Sequence, residues 1–403
     1  MIQHALIALH LNTHNHGAFS NSPLKEGDMK RSVIVNFLGF AVLASAAWGQ
    51  SEDSTWKQPG IVTFDVPGAG TATGQGTRPI GIVQAGWVMG SYIDAKNVAH
   101  GFVRAPNGLI TRFNVQGMGE SPGQGVVEVF GMTPWLEIVG DYLDSDNNYH
   151  AFLRTPFGEI KKFACPGAGP GGTAAEAVNQ VGLISAMYLD DNGAWHGCLR
   201  TADGSFEGYD PPDAGINSAE GTYAAIFGGI NQAGAVTGEY EDISGAWHAY
   251  LRAPRGAITE YSVPNSSGAG TLAINEVGEI WGWFFDINGV WHGYLRAPEG
   301  DFTQVDVPGA GTGAGQGTTA NPFCCAYGGM NQAGTVTSPY MDSGNVLHGF
   351  LRTAEGKLVK FDVRGAGTSA WQGTIPVSIN PEGMITGWYI DSRGVSHGFL
   401  RMP

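Results

Sequence analysis

The chain contains 403 residues, of which 63 are glycine, and carries a formal net charge of −15 at pH 7. Such an acidic chain is unsuited to nucleic acid or an anionic lipid surface, because binding there depends on Lys and Arg side chains that neutralise phosphates. Acidity alone selects no other partner. The four cysteines lack the Cys-x-x-Cys spacing of a zinc site, so neither a metal nor a cofactor is predicted.

The first 60 residues predict export. Residues 29–49 read MKRSVIVNFLGFAVLASAAWG, a basic start followed by a short apolar stretch and small residues, which is typical of a signal peptide. We therefore expect a secreted protein, extracellular or periplasmic. Residues 1–28 either lie upstream of the true start at Met29 and are disordered, or form an unusually long leading segment. Residues 50–60 read as a short linker, and no later apolar run is long enough to span a membrane.

One pattern recurs seven times through residues 61–403: an Asp, a His six residues later and an Arg four further on. The internal spacing is constant while successive histidines lie 44 to 56 residues apart, which is typical of one supersecondary unit with variable connections. The copies, numbered here as units 1 to 7, are Asp94, His100, Arg104; Asp144, His150, Arg154; Asp190, His196, Arg200; Asp242, His248, Arg252; Asp286, His292, Arg296; Asp342, His348, Arg352; and Asp391, His397, Arg401.

Each unit reads as four short β-strands with a hairpin between the Asp and the His. The residue three after each Asp is always Gly or Asn, as a three-residue loop closed by a left-handed residue requires. The Asp is expected to accept hydrogen bonds from the turn amides. The aromatic residue two before it is expected to lie opposite the His. Adjacent apolar residues in the third strand (HGFLR) predict burial on both faces.

Four strands in about 44–56 residues, repeated seven times, predict an all-β fold, a seven-bladed β-propeller with four-stranded blades. The last unit lacks a fourth strand, and residues 61–66 read as a strand without a unit of their own. We therefore expect residues 61–66 to complete the last blade and close the ring, which removes an exposed sheet edge. An open solenoid is the alternative, although it would not need a displaced strand.

The repeats resemble the extracellular HAF repeat family, which is named for the tripeptide found here as His150-Ala151-Phe152. The matching motifs are the Gly-x-Tyr-x-Asp strand, the His-Gly-Phe-Leu-Arg strand and the Asn-x-x-Gly turn at 231–234, 275–278 and 331–334. Units 1 and 2 depart from the last motif, reading GIVQAG and VFGMTP. The resemblance covers residues 61–403 and implies export and a repeat architecture, but no known reaction.

The seven repeat histidines are all the histidines that follow the signal peptide. Because a catalytic site needs one base rather than seven, we interpret the Asp, His and Arg residues as structural and predict no catalytic residue. Each Arg is expected to meet a carboxylate near a fourth strand, the candidates being Asp65, Asp210, Asp306 and Asp362. The turn DSDNN at 144–148 resembles the start of a calcium loop but lacks its glycine and distal glutamate, so a plain hairpin turn is favoured.

Function is expected where the units differ. Two insertions, residues 215–229 and 315–329, are predicted to form loops between the fourth strand of one unit and the first strand of the next, and such loops often carry binding. The candidate binding residues within them are Tyr223, Phe227, Asn321, Phe323 and Tyr327. Trp283, Trp371 and Trp388 could add aromatic surface for a sugar ring, although burial between blades is the expected fate of each.

The sequence leaves cysteine pairing open. Cys165 ends a fourth strand and Cys198 takes the aromatic position of a third strand, so a bridge between neighbouring units and two buried thiols are both compatible with the pattern. Cys324 and Cys325 are adjacent in the second insertion, where a vicinal disulfide, a partner-linked bridge and free thiols are alternatives.

The favoured function is that of a secreted, monomeric, non-catalytic binding or surface-interaction module whose partner is an extracellular polysaccharide or an exported protein. The alternative is a polysaccharide lyase or glycoside hydrolase on a propeller scaffold, which would need paired carboxylates on one face. The unit-specific candidates for that chemistry are scattered through the sequence: Glu120, Glu128, Glu137, Glu220 and Tyr223. A structural envelope or matrix protein, which needs no pocket, is the third hypothesis.

Overall fold

The computed structural model describes residues 60–225, 228–319 and 327–403. Residues 1–28, the predicted signal peptide and residues 50–59 of the linker lie outside the described residues, as do Phe227, Asn321, Phe323, Cys324 and Cys325. The described chain is all-β apart from one short 3-10 helix, Gln84–Gly86. No helix in these ranges is long and apolar enough to cross a membrane.

Strand β1 (Ile61–Phe64) precedes the units, which then contribute their strands in chain order. Units 1 to 3 comprise β2 (Gly76–Ile82), β3 (Val88–Ile93), β4 (Ala99–Arg104), β5 (Ile110–Phe113); β6 (Gly125–Met132), β7 (Ile138–Leu143), β8 (Tyr149–Arg154), β9 (Ile160–Phe163); and β10 (Thr173–Val178), β11 (Ile184–Leu189), β12 (Trp195–Arg200), β13 (Phe206–Tyr209). Units 4 and 5 comprise β14 (Gly221–Ala224), β15 (Val236–Glu241), β16 (Trp247–Arg252), β17 (Ile258–Tyr261); and β18 (Gly268–Ile274), β19 (Ile280–Phe285), β20 (Trp291–Arg296), β21 (Phe302–Val305). Units 6 and 7 comprise β22 (Gly317–Thr318), β23 (Gly329–Met330), β24 (Val336–Met341), β25 (Leu347–Arg352), β26 (Leu358–Phe361); and β27 (Gly373–Ile379), β28 (Ile385–Ile390), β29 (Ser396–Arg401).

The predicted hairpin register is confirmed. Tyr92 lies opposite His100 in unit 1, and the same aromatic–His pair recurs in the other six units. The residue three after each Asp has a positive φ, from 60° at Asn345 to 81° at Gly193. Each Asp accepts hydrogen bonds from the amides two and four residues later, at 2.8 to 3.0 Å.

Strand β1 pairs antiparallel with β29, the third strand of unit 7, so that Ile61 faces Arg401. The predicted pairing of this segment with the last unit is confirmed. Gly76 at the start of β2 lies in parallel register with Ser396 of β29, which puts unit 1 beside unit 7. A Cβ at Gly76 (φ +117°) would lie 2.0 Å from the Ser396 carbonyl oxygen, so this junction requires glycine.

The core lies on both faces of the third strands and at the first strands. Phe102, Phe152 and Phe350 of the third strands are completely buried, which confirms the prediction for these strands. The largest apolar cluster joins units 1, 5, 6 and 7 and includes Ile80 and Leu272. Strand pairing connects the chain into one sheet of 21 strands and one of eight.

The two insertions are not loops between units, and that prediction was wrong. Residues 215–229 contain β14, which pairs with β15 as the first strand of unit 4. Residues 315–329 contain β22, which pairs with β24 in unit 6. The chain returns to the same partner strands at Ile230 and Gly329. Each insertion therefore interrupts a first strand instead of joining two units.

Candidate functional site

The seven repeat histidines hold their hairpins in the same way. Each imidazole stacks on the aromatic ring opposite it, with ring centroids 4.8 to 5.1 Å apart. Its Nε2 atom lies 2.8 to 4.0 Å from a carboxylate oxygen of the hairpin Asp. The Asp that orders the turn thus also orients the ring.

The other imidazole nitrogen, Nδ1, has a partner in five units. That partner is the residue just after the fourth strand, or just after β1 in the case of unit 7, at 2.7 to 3.0 Å: Asn114, Asp210, Asp306, Asp362 and Asp65. In these five units Nδ1 is therefore occupied and is not available to a ligand, while Nε2 lies 3.3 to 4.0 Å from the hairpin Asp.

The repeat arginines do not bind those acids, and this prediction was wrong. Six guanidinium groups lie over an aromatic ring near the end of the preceding unit's fourth strand, 4.7 to 5.2 Å from its centroid, as Arg104 does over Phe64 of β1. Such cation–π contacts stabilise a partly desolvated guanidinium. Among the residues that the structure describes, Arg252 is the only repeat arginine that meets a carboxylate, that of Glu207.

Units 2 and 4 depart from this pattern at one position. The residue after the fourth strand is Ala164 in unit 2 and Ser262 in unit 4. Within the described ranges, the only hydrogen bonds of the His150 and His248 rings are through Nε2, to the hairpin Asp at 2.8 and 3.0 Å. These two side chains are the most exposed of the seven, at 41% and 29%. Each therefore offers Nδ1 to a ligand.

A pocket opens in unit 4, where the acid is missing. It has a volume of about 320 Å³ and lies between β15, β16, β17 and the loop after β13. Its lining consists of Asp213, Tyr240, Asp242, His248, Glu260, Tyr261 and Ser262. Three of these residues are acidic, and none is Lys or Arg.

Glu260 is acidic, whereas three other units carry a basic residue at the equivalent position of the fourth strand. Units 1, 2 and 6 carry Arg112, Lys162 and Lys360 there, and each donates a hydrogen bond to a carbonyl oxygen of the loop before its unit. Glu260 instead accepts the backbone N–H of Asp213 at 3.0 Å. The loop is still fixed by a hydrogen bond, but the side chain that forms it is now the Glu260 carboxylate, which lies at the pocket.

Two pKa shifts fix the protonation of the pocket. Burial acts to raise the pKa of Asp242, but hydrogen bonds from Ser244 and the rest of the hairpin outweigh it and hold that pKa well below its usual range. Burial, then the Glu260 and Asp213 carboxylates, raises the pKa of Tyr240. The pocket thus combines a permanent carboxylate with a phenol that remains protonated.

A second group of acids lies in the interior, and sequence reasoning missed it as a group. Asp141 faces Glu128 across β6 and β7, and Glu176 interacts electrostatically with Asp141, Glu128 and Glu239. Asp141 and Glu176 are each 1% exposed. Burial, followed by repulsion from neighbouring carboxylates, raises the pKa of both, and burial raises the pKa of Glu239 to about 8. Burial therefore favours the uncharged form of each of these carboxyl groups.

A comparison of equivalent strand positions would have revealed this group. Glu176 is the bulged residue of β10, and the same bulge holds Ile80, Leu272 and Val377 in units 1, 5 and 7. Those three side chains are buried and apolar. A buried acid at such a position costs stability, so Glu176 departs from the repeat and can be recognised by comparing the units.

The candidate binding residues that the structure describes are not on exposed loops. Tyr223 is 9% exposed and lies on β14 between two tryptophan rings. Tyr327 is 9% exposed and packs edge-on against Trp388. Trp283 and Trp388 are buried, as expected, whereas Trp371 is 48% exposed.

The structure contains a disulfide between Cys165 and Cys198, one of the two alternatives that the sequence left open. It joins units 2 and 3, and both cysteines are buried. In the described part of the chain, no three His, Cys, Asp or Glu side chains are arranged to hold a metal ion.

The Asp362–His348 pair predicts a pH-dependent stability. The hydrogen bond that His348 donates to Asp362 raises the pKa of His348, against the opposing effect of burial, so this stabilisation is complete below the ordinary histidine pKa and is lost as pH rises through the folded value. We expect D362N to lower the free energy of unfolding by up to about 1 kcal/mol near pH 5.5 and by less near pH 8.5. Urea unfolding at both pH values measures it, and an equal loss at both would contradict it.

Comparison with known proteins gives a likeness of fold alone. No known family model matches the chain, and no curated protein matches it. Among solved structures it is similar to puromycin hydrolase, with 13% identity, a TM-score of 0.50 and coverage of 78% of this chain and 50% of that one. TolB from Acinetobacter baumannii (11% identity, TM-score 0.42, 78% and 63% coverage) and the fucose-specific lectin from Aleuria aurantia (11%, 0.42, 71% and 95%) are more distant and carry no functional argument. The chain spans half the length of the puromycin hydrolase chain.

Proposed function

We propose that the seven units form a closed, seven-bladed β-propeller. The pairing of β1 with β29 and the contact between units 1 and 7 support a ring. Asn380 of unit 7 also donates to the Val83 carbonyl oxygen of unit 1 at 3.2 Å. A cavity of about 210 Å³ is lined by residues of six units at their first strands, as the central channel of a propeller would be.

We propose that this propeller is a secreted, non-catalytic module that binds a polysaccharide through the unit 4 pocket. The observation that carries the proposal is Ser262, which stands where an acid occupies the histidine Nδ1 in other units and leaves a pocket beside His248. The volume of this pocket is at the lower end of the range for small-molecule sites, which suits a single sugar residue. Hydroxyl groups of a sugar would pair with the imidazole, the Tyr240 phenol and the carboxylates.

Export is part of the same proposal. It rests on the pattern of residues 29–49, and the disulfide between Cys165 and Cys198 supports it because disulfides persist in oxidising compartments. The enzyme alternative is less well supported. Two of the carboxyl groups that come together in the interior, Asp141 and Glu176, are almost inaccessible to a substrate.

Substitution S262D tests the binding site. The new carboxylate should occupy Nδ1 of His248, as Asp306 and Asp362 do for their histidines, and should make this nitrogen unavailable to a ligand without harming the fold. Residues 50–403 are incubated with soluble and insoluble polysaccharides, and we measure depletion of the protein together with new reducing ends or unsaturated products. We expect the wild type to bind at least one polysaccharide, S262D to lose at least about tenfold in affinity, and S262A to retain binding.

Two outcomes would contradict the proposal. Equal binding by wild type and S262D would place the site elsewhere, and product formation would identify an enzyme. The unfolding midpoint of each variant is measured in parallel, so that a loss of binding is not confused with a loss of fold.

A further inference from the structure

We infer that the unit 4 pocket selects a sugar residue that carries a free, protonated amine. This inference rests on the binding function proposed above and goes beyond it by naming the class of ligand. The pocket lining contains three carboxyl groups and no Lys or Arg. A ligand that brings its own positive charge is the complement of such a lining, because hydrogen bonds between charged partners are about twice as strong as neutral ones.

The three carboxylates differ in the number of hydrogen bonds that they already accept within the protein. Asp242 accepts the Ser244 and Ala246 amides on Oδ1 and meets His248 through Oδ2, so it is committed to the hairpin. Glu260 accepts one backbone N–H on Oε1 and has a side-chain hydrogen bond with Tyr240. The carboxylate of Asp213 accepts no hydrogen bond and forms no ion pair within the described ranges.

Glu260 and Asp213 are therefore the groups that would receive an ammonium. An ammonium group has three N–H donors and no acceptor, so it matches two carboxylates that lie beside one another. Both residues line the same pocket, and the Asp213 amide donates a hydrogen bond to Glu260. Acetylation of the amine removes the charge and two donors, so the ligand would no longer neutralise the two acids.

The pocket favours a sugar over a lysine side chain because its polar groups lie on several sides. Nδ1 of His248 and the phenol of Tyr240 line the same cavity as the two acids. A sugar ring presents hydroxyl groups in several directions, whereas a lysine side chain offers only its terminal ammonium. The volume of about 320 Å³ is also more than a single ammonium requires.

The test compares two ligands that differ only in the amine. Short glucosamine oligomers and the corresponding N-acetylglucosamine oligomers are titrated calorimetrically into residues 50–403 at about pH 6, where the amine is protonated. We expect the free amine to bind at least about tenfold more tightly, and its affinity to fall with added NaCl. E260Q should reduce the affinity by about tenfold, whereas E299Q, which removes an exposed acid outside the pocket lining, should not.

S262D separates pocket binding from general attraction between an acidic protein and a cationic sugar. It adds a negative charge to the protein, so non-specific binding would strengthen, but it occupies Nδ1 of His248, so specific binding would weaken. Stronger binding by S262D would therefore overturn the inference.

The remaining outcomes keep the inference and the proposed function apart. Suppose that the wild type binds the N-acetylated and the free-amine oligomers equally and that S262D binds neither. This result would overturn the amine inference and leave the binding function intact. Binding of oligolysine but of no sugar, with the same sensitivity to E260Q, would overturn both in favour of a protein partner. Absence of binding to any sugar or oligolysine would overturn both outright.

Discussion

Replacement of Glu176 by leucine is expected to stabilise the protein by about 2 kcal/mol at neutral pH. The wild type buries a carboxyl group at a bulge where units 1, 5 and 7 bury Ile80, Leu272 and Val377. One of its oxygens, Oε2, has no hydrogen-bond partner in the described residues. Leucine removes this unsatisfied group and adds apolar contact at a position where three other units bury an aliphatic side chain.

The pH dependence of stability distinguishes this explanation from simple repacking. Because the folded pKa of Glu176 is raised, the wild type should lose stability as pH rises above the ordinary glutamate pKa, until the folded group ionises. E176L and the near-isosteric E176Q should both weaken that loss, whereas only E176L should add stability at low pH. Denaturant unfolding across the pH range measures all three proteins. A destabilised E176L would mean that the carboxyl group is needed for the fold.

Removal of β1 is expected to destabilise the protein by about 5 kcal/mol or more, since it uncovers the edge of β29 and the contacts of two apolar side chains. Val66 is 2% exposed and packs with Tyr92, Phe102 and Leu400, and Phe64 packs against the same cluster. An exposed strand edge also promotes association between chains. A chain that begins at Gly68 should therefore unfold at a much lower temperature and form oligomers in size-exclusion chromatography.

The matched control begins at Gly60 and keeps β1. It should unfold at the same temperature as residues 50–403, and a synthetic peptide of residues 60–70 should restore part of the stability of the shorter chain. If the chain that begins at Gly68 were as stable as the control, β1 would not complete the last unit.

Hairpin register could be read from the sequence because local rules determine it. The left-handed residue, the capping Asp and the aromatic–His pair lie within a few positions of one another, and each repeats seven times. The pairing of β1 with β29 was also predictable, because a strand was missing at one end of the repeat and present at the other.

Side-chain partners between elements could not be read in the same way. The acids Asp210, Asp306 and Asp362 follow fourth strands, and charge alone suggested arginine as their partner. Register instead places them beside the histidine of their own unit, while six of the arginines lie over an aromatic ring of the preceding unit. The insertions were misplaced because each of them interrupts a first strand. The part that remains before the interruption is only four residues long in β14 and two in β22.

The sequence differences that distinguish unit 4 from the other units at the pocket are small. Ser262 replaces one acid and Glu260 replaces one basic residue, yet together they convert a filled copy of the motif into an open, negatively charged pocket. Neither change is visible as an insertion or a motif. Both appear only when equivalent positions of the seven units are compared.

The most direct measurement of this account is a two-dimensional ¹H–¹⁵N imidazole spectrum of residues 50–403, recorded while glucosamine oligomer is added. Single His→Gln variants assign the seven rings. We predict that the His248 resonances shift in a saturable manner, while those of the five rings hydrogen-bonded through Nδ1 do not. Shifts of similar size in all seven rings, or saturable binding that leaves His248 unchanged, would contradict the unit 4 pocket as the binding site.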